Sequence, residues 1–252
     1  GNPDLNPSLR QSFNFNYRNF DFKTRSGYGV FSRFSITDNQ VVAVLNTNED
    51  LVRTTSYTNV NGAQNASIYF YFSKTIQTEG TTVIRYNLNL SNSYNKNIGF
   101  SNGQKFESDR YSISPGARFT YEIPDLISLQ PKVRFNYNNT AYSIFSDRNE
   151  NFTNTEMGLE ATLFWPENII FGSDFTYFNY GNVSDAFEAT SFFWNLSLGY
   201  QFLDEKATLK VKVYDVLDQN ISTRRTTGDD FIQDTDQLIL QRYAMLSFTY
   251  KL

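Results

Sequence analysis

The sequence contains no cysteine and no histidine. The first absence removes disulfides, thiolate metal sites and cysteine nucleophiles. The second removes histidine-based triads, histidine metal sites and histidine haem ligation. No run of about 18 apolar residues occurs either, so no helix is expected to cross a membrane. Positive charge is not in excess: 22 Lys and Arg against 26 Asp and Glu give a net charge of −4, and the pI is ≈ 5.0. A phosphate backbone needs a basic surface, so nucleic acid is not an expected partner. The opening GNPDLNPSLR lacks a charged-then-apolar leader, and any export signal is expected to lie outside this piece.

What is abundant is aromatic. With 24 Phe and 17 Tyr, 17% of the chain is aromatic, yet mean hydropathy is −0.48. Strands with one apolar and one polar face produce that combination. The stretch FFWNLSLGYQF places Phe192, Trp194, Leu196, Leu198, Tyr200 and Phe202 at every second position. Alternation of this kind is the period of a strand. It recurs at Phe13, Phe15 and Tyr17, at Ile84, Tyr86, Leu88 and Leu90, at Met157, Leu159, Ala161 and Leu163, and at Ala244, Leu246, Phe248 and Tyr250. With a weaker strand around residues 41–58, the pattern predicts about twelve antiparallel strands in one all-β domain over residues 1–252.

The connections add an asymmetry. TDNQ (37–40), QTEG (77–80), IPDLIS (123–128), PEN (166–168) and LDEK (203–206) read as compact turns, and between them fall long segments such as NKNIGFSNGQKFESD and SDRNENFTN. Short and long alternate, which predicts short turns on one rim and long loops on the other, with both termini on the short-turn rim. Transmembrane barrels of the bacterial outer membrane have this arrangement, with the short turns periplasmic and the long loops extracellular. Trp165, Tyr121, Tyr200 and Phe202 by the short turns, and Tyr94, Tyr177, Tyr180, Phe192 and Trp194 by the long ones, are expected as interfacial girdles. A soluble sandwich, propeller or double-layered sheet also alternates, but explains neither the rims nor the aromatic content.

Two segments carry a resemblance. GNPDLNPS (1–8) resembles the GNP-x-L-x-P-E segment that introduces a strand inside the barrels of TonB-dependent receptors, with Ser8 in place of the acid. VYDVLDQN (213–220) and RYAMLSFTYKL (242–252) are similar to that family's closing hairpin and last strand. The resemblance implies the later part of a larger barrel, without its plug domain, from a receptor that takes up a scarce nutrient across the outer membrane of a Gram-negative bacterium. Its implied partners are outer-membrane lipid, the plug, TonB and a surface lipoprotein. A self-contained twelve-stranded porin for passive diffusion is the alternative reading, and an enzyme is not expected, since barrel hydrolases use a serine activated by histidine.

Parity opposite the apolar positions nominates Arg85, Arg118, Lys132, Arg134, Glu156, Glu160, Asp174, Lys210 and Lys212 as lumen-lining. Hydrated cross-strand charge ladders are the plainer role for each. Among the long loops, Arg224, Arg225, Asp229, Asp230, Asp234 and Asp236 are external candidates. Asp147, Asn149 and Asn151 have the spacing of half a calcium loop but lack its turn glycine and distal acid, so neither a metal nor a cofactor is expected. Glu156 and Glu160, four residues apart on a strand, lie about 13 Å from one another, too far for a glycosidase pair.

Overall fold

The structure, a computed structural model, describes residues 2–50, 52–78, 80–144, 146–181, 189–219, 224–227, 232–235 and 240–251. It is an antiparallel sheet whose main path joins eleven strands: β1 (Leu9–Asp21), β2 (Ser26–Asp38), β5 (Ala63–Gln77), β6 (Val83–Ser101), β7 (Gln104–Ile123), β8 (Ile127–Tyr142), β9 (Glu150–Leu163), β10 (Ile169–Tyr180), β11 (Thr190–Phe202), β12 (Ala207–Tyr214) and β15 (Tyr243–Tyr250). Off this path, β3 (Gln40–Thr47) pairs with β4 (Arg53–Val60), and β13 (Arg224–Thr227) pairs with β14 (Ile232–Thr235) as a separate two-stranded sheet. Between β8 and β9 stands one short 3-10 turn, Ser146–Arg148. β1 and β15 are the two free edges of the path.

Register keeps the apolar positions on one face from end to end. Phe13 faces Phe34, Phe34 faces Ala66, Ala66 faces Tyr94 and Tyr94 faces Tyr111. Val133 faces Met157, Met157 faces Tyr177 and Tyr177 faces Phe192. A one-residue slip at any of these seams would reverse a whole strand, so the alternation itself pins the pairing. No second layer covers this face among the described residues. Phe13 is 65% exposed, Leu198 57% and Leu246 66%. Apolar area left in water costs about 25 cal/mol per Å². A face of this extent therefore needs an apolar solvent.

Two polar groups within the apolar face are satisfied by neighbours, as a non-aqueous surrounding demands. Trp194 Nε1 donates to Ser173 Oγ at 2.9 Å, and Asn92 Nδ2 donates to the Tyr111 hydroxyl at 2.6 Å. Rings flank the band. Tyr86 packs on Phe119, Tyr200 on Phe202 and Phe202 on Phe248 towards the short turns, while Tyr177 packs on Phe192 towards the other rim. From Tyr86 to Tyr94 on β6 is about 27 Å along the strand, or roughly 20 Å along the barrel normal at the usual tilt. Beyond Tyr94 the same face carries the ion pair Lys96–Glu107, 2.6 Å. Tyr180, expected in a girdle, instead stacks on Phe178 on the opposite face.

The rims depart from the sequence reading in three places. The weak strand at 41–58 is a hairpin folded on itself, β3 and β4, and it stays on the long-loop rim, where β3 pairs in parallel with Phe100 and Ser101 at the end of β6. TDNQ therefore lies on the long-loop rim, and the first tight turn of the opposite rim is residues 22–25. The wall is left with an odd number of strands, so its ends fall on opposite rims. Leu9 pairs with Asp38 at the long-loop rim, whereas Tyr250 pairs with Ala207 beside the short turn at 203–206. Finally, NKNIGFSNGQKFESD is no loop: β6 and β7 run on as a hairpin and turn at Asn102 and Gly103, both with positive φ. Asn-Gly is the pair best suited to that two-residue turn.

The long-loop rim holds the packed cluster of the molecule. Val60, Ala63, Ile98, Phe106 and Tyr142 are buried there, with the Phe106 and Tyr142 rings 6.3 Å apart. Residues 2–8 run along this rim before β1 begins, tied to the hairpin by asparagines. Asn59 accepts from the Asn6 amide at 2.7 Å and donates to the carbonyls of Asn6 at 3.0 Å and Asn39 at 2.7 Å. The Asn-Pro segment thus leads straight into a strand, with Asn2 and Asn6 bonded to β4.

Candidate functional site

Opposite the apolar band, alternate residues form a polar face. Cross-strand register sets them in rows. Tyr71, Asn89, Gly116, Arg134 and Glu156 face one another in sequence across β5 to β9. The next row holds Ser73, Asn87, Arg118, Lys132 and Gly158. Between and around these rows opens a cleft of about 420 Å³ that includes Arg85, Arg118, Lys132, Arg134 and Glu156, five of the nine residues nominated from parity. A second, smaller hollow of about 180 Å³ includes Glu160, Asp174, Lys210 and Lys212, the other four.

Glycine shapes the cleft floor. A Cβ at Gly116 would meet Asn89 Oδ1 at 2.8 Å, and one at Gly158 would meet Lys132 Cε at 2.5 Å. The missing side chains let the Asn89 amide and the Lys132 stem lie flat across the neighbouring strand. Lys132 then reaches Glu156 Oε1 at 3.3 Å and Glu160 Oε1 at 3.9 Å, so the two carboxylates, which strand spacing alone sets about 13 Å apart, instead lean together onto one ammonium. Arg134 lies directly opposite Glu156 in register, yet that carboxylate turns to Lys132. Among the described residues, Arg85, Arg118 and Arg134 have no carboxylate within ion-pair distance.

The smaller hollow is balanced differently. Asp174 faces Glu160 directly, and accepts from Asn195 Nδ2 at 3.4 Å. Lys212 extends over the Tyr214 ring, 4.3 Å from its centroid. The charge-ladder reading therefore describes Lys132, Glu156 and Glu160. It does not describe the three arginines.

Parity with charge alone missed the uncharged donors of the cleft, Asn87, Asn89, Thr120 and Gln130. The same parity, extended to the first two strands, would have found Arg10, which donates to Ser35 Oγ at 2.9 Å, and Arg33, which donates to Asn14 Oδ1 at 2.9 Å. Gly116 and Gly158 carried a signal as breaks in the polar series. In the loops, Asn149 Oδ1 accepts from the Tyr142 amide at 2.7 Å and so closes the β8–β9 connection. Arg224, Arg225 and Asp234 belong to the backbone of the β13–β14 hairpin, with Arg225 opposite Asp234 in register. Asp229, Asp230 and Asp236 lie outside the described residues. Among the described residues, no group of three or more acidic side chains is gathered for a metal ion.

Comparison with curated proteins and with solved structures finds no match. The sequence pattern of one family does match, over residues 1–167 and again over residues 165–250, which together span nearly the whole chain. Its description agrees with the one-layered antiparallel wall, the aromatic-bounded apolar band and the uncovered apolar face, which is the face that lipid covers. The chain belongs to the outer membrane protein beta-barrel family and resides in the outer membrane of a Gram-negative bacterium.

Proposed function

We propose that this chain forms part of the wall of a larger, plugged barrel of the TonB-dependent receptor kind, which imports a scarce nutrient and performs no catalysis of its own. The observation that carries the reading is strand direction. With eleven strands on the antiparallel path, β1 and β15 run the same way. An antiparallel barrel has an even number of strands, so an odd number of further strands would complete it. A free edge in hydrocarbon leaves backbone groups unpaired at several kcal/mol each, which drives that completion. The lead of residues 2–8 into β1 agrees with the resemblance of the GNPDLNPS segment to an internal strand-introducing motif. In this reading the polar face meets a plug domain, TonB supplies energy through that plug, and the long-loop rim is where a surface lipoprotein would sit.

Planar-bilayer conductance of the refolded chain tests this, with heat-modifiable gel mobility in parallel. The expected result is no steady ohmic step. Stable steps together with a folded band would mean that the chain closes alone, and would replace the receptor reading with a passive porin.

A further inference from the structure

The arginines of the cleft form a pattern that the importer reading does not use. Arg85 on β6 faces Thr120, two residues from Arg118 on β7, and Arg118 faces Lys132, two residues from Arg134 on β8. Each arginine is thus the diagonal neighbour of the next, with Cβ atoms about 7–8 Å apart. Arg85 and Arg134 lie on opposite sides of Arg118, and all three line one cleft. Lys132, directly opposite Arg118, is neutralised by Glu156 and Glu160, at 3.3 and 3.9 Å. The three guanidinium groups are not neutralised in this way. That cleft is open and belongs to a chain whose net charge is −4.

We propose that Arg85, Arg118 and Arg134 form a lumen binding site for a small polyanionic solute bearing two or more carboxylate or phosphate groups. The guanidinium fork matches both groups bidentately and remains charged at any physiological pH. A single carboxylate engages one fork and leaves the other two unpaired, so the diagonal favours multivalent anions over monovalent ones. Carboxylates could also be presented by the side chains of a protein segment filling the lumen, and the test separates these sources. The site needs only the polar face, and stands whether or not further strands complete the barrel.

The test is calorimetric titration of citrate into the full chain refolded in detergent micelles at low salt. Saturable citrate binding is expected, with acetate at least tenfold weaker. Arg118→Gln and Arg134→Gln should each weaken citrate at least tenfold, while Lys96→Gln, on the opposite face, should leave it unchanged. Should the glutamine variants lose the folded gel band, Arg118→Lys and Arg134→Lys keep the charge without the fork, and a several-fold loss is expected from each. Absence of saturable citrate binding, or binding that survives all four substitutions, overturns the site. Tighter binding of a pentaglutamate peptide than of citrate overturns the small solute as its ligand.

Discussion

Every glycine inside a wall strand lies on the polar face: Gly27, Gly29, Gly99, Gly116, Gly158, Gly172 and Gly199. In most of them a neighbouring side chain occupies the space a Cβ would take, as the Tyr71 ring does over Gly29 and the Phe106 ring over Gly99. Rings laid over strand glycines shield the bare backbone and hold register. Gly181, just beyond β10, is more constrained, because a Cβ there would run into the Thr153 carbonyl of the adjacent strand. Backbone cannot swing aside as a lysine stem can. Gly181→Ala is therefore expected to destabilise the fold by about 1–3 kcal/mol, the range for overpacking, read as a lower urea midpoint of the folded gel band. Gly199→Ala, where the nearest atom stands at 3.6 Å, serves as the tolerated comparison.

Asp21, at the first short turn, illustrates a residue-scale pH effect. The Lys23 amide donates to its Oδ1 at 2.8 Å and the Thr24 hydroxyl to its Oδ2 at 2.9 Å. The Lys23 amide first, and then the Thr24 hydroxyl, hold the carboxyl below its ordinary value. Since the folded carboxyl binds its proton less tightly than the unfolded one, the turn is supported above the ordinary carboxylate range. That support is lost as pH falls through the lowered value. Deuterium exchange at the Lys23 and Thr24 amides should accelerate relative to β2 on that acid descent, and Asp21→Asn should abolish the pH dependence.

At the scale of the element, each strand has two environments, and the same substitution separates them. Leu90 lies midway between Tyr86 and Tyr94 on the lipid face, and Ser91 beside it points to the lumen. Leu90→Arg is expected to cost about 2–4 kcal/mol, the value for a cation at the bilayer midplane, while Ser91→Arg should fall well below that. Urea unfolding in lipid vesicles compares the two. This contrast was legible in the sequence, because period-2 alternation survives in every long strand from β1 to β11. The elements that eluded the sequence lie above the band, where water meets both faces and alternation loses its cause. There β3 and β4 resembled one irregular strand, and the β6–β7 extension resembled a loop despite its Asn-Gly turn. Proline also blurs the record. Pro115 and Pro131 sit in adjacent strands, and the β7–β8 ladder skips two rungs at each, the proline's own among them, since neither supplies an N–H.

For the whole molecule, one missed hairpin reverses the direction of an edge. Reading 41–58 as a wall strand made the strand number even and placed both termini on one rim. Folding it into β3 and β4 makes the wall odd, and β1 and β15 become parallel edges. The charged residues of the polar face could be nominated without this knowledge, because parity is local to each strand. Their grouping into one cationic cleft and one mixed hollow could not, because it depends on which strands neighbour one another and in what register. The edges themselves can be interrogated cleanly, since the chain has no cysteine of its own. Leu246→Cys paired with Val211→Cys, which face each other across β12 and β15, should form an intramolecular disulfide on oxidation. Phe15→Cys paired with Leu246→Cys or with Phe248→Cys should not, because closure of this wall upon itself would require a parallel seam between strands that the antiparallel path leaves apart. A disulfide between β1 and β15 in folded, monomeric chain would establish that seam and remove the need for further strands. Its absence, with the β12–β15 control formed, leaves both edges open to antiparallel partners.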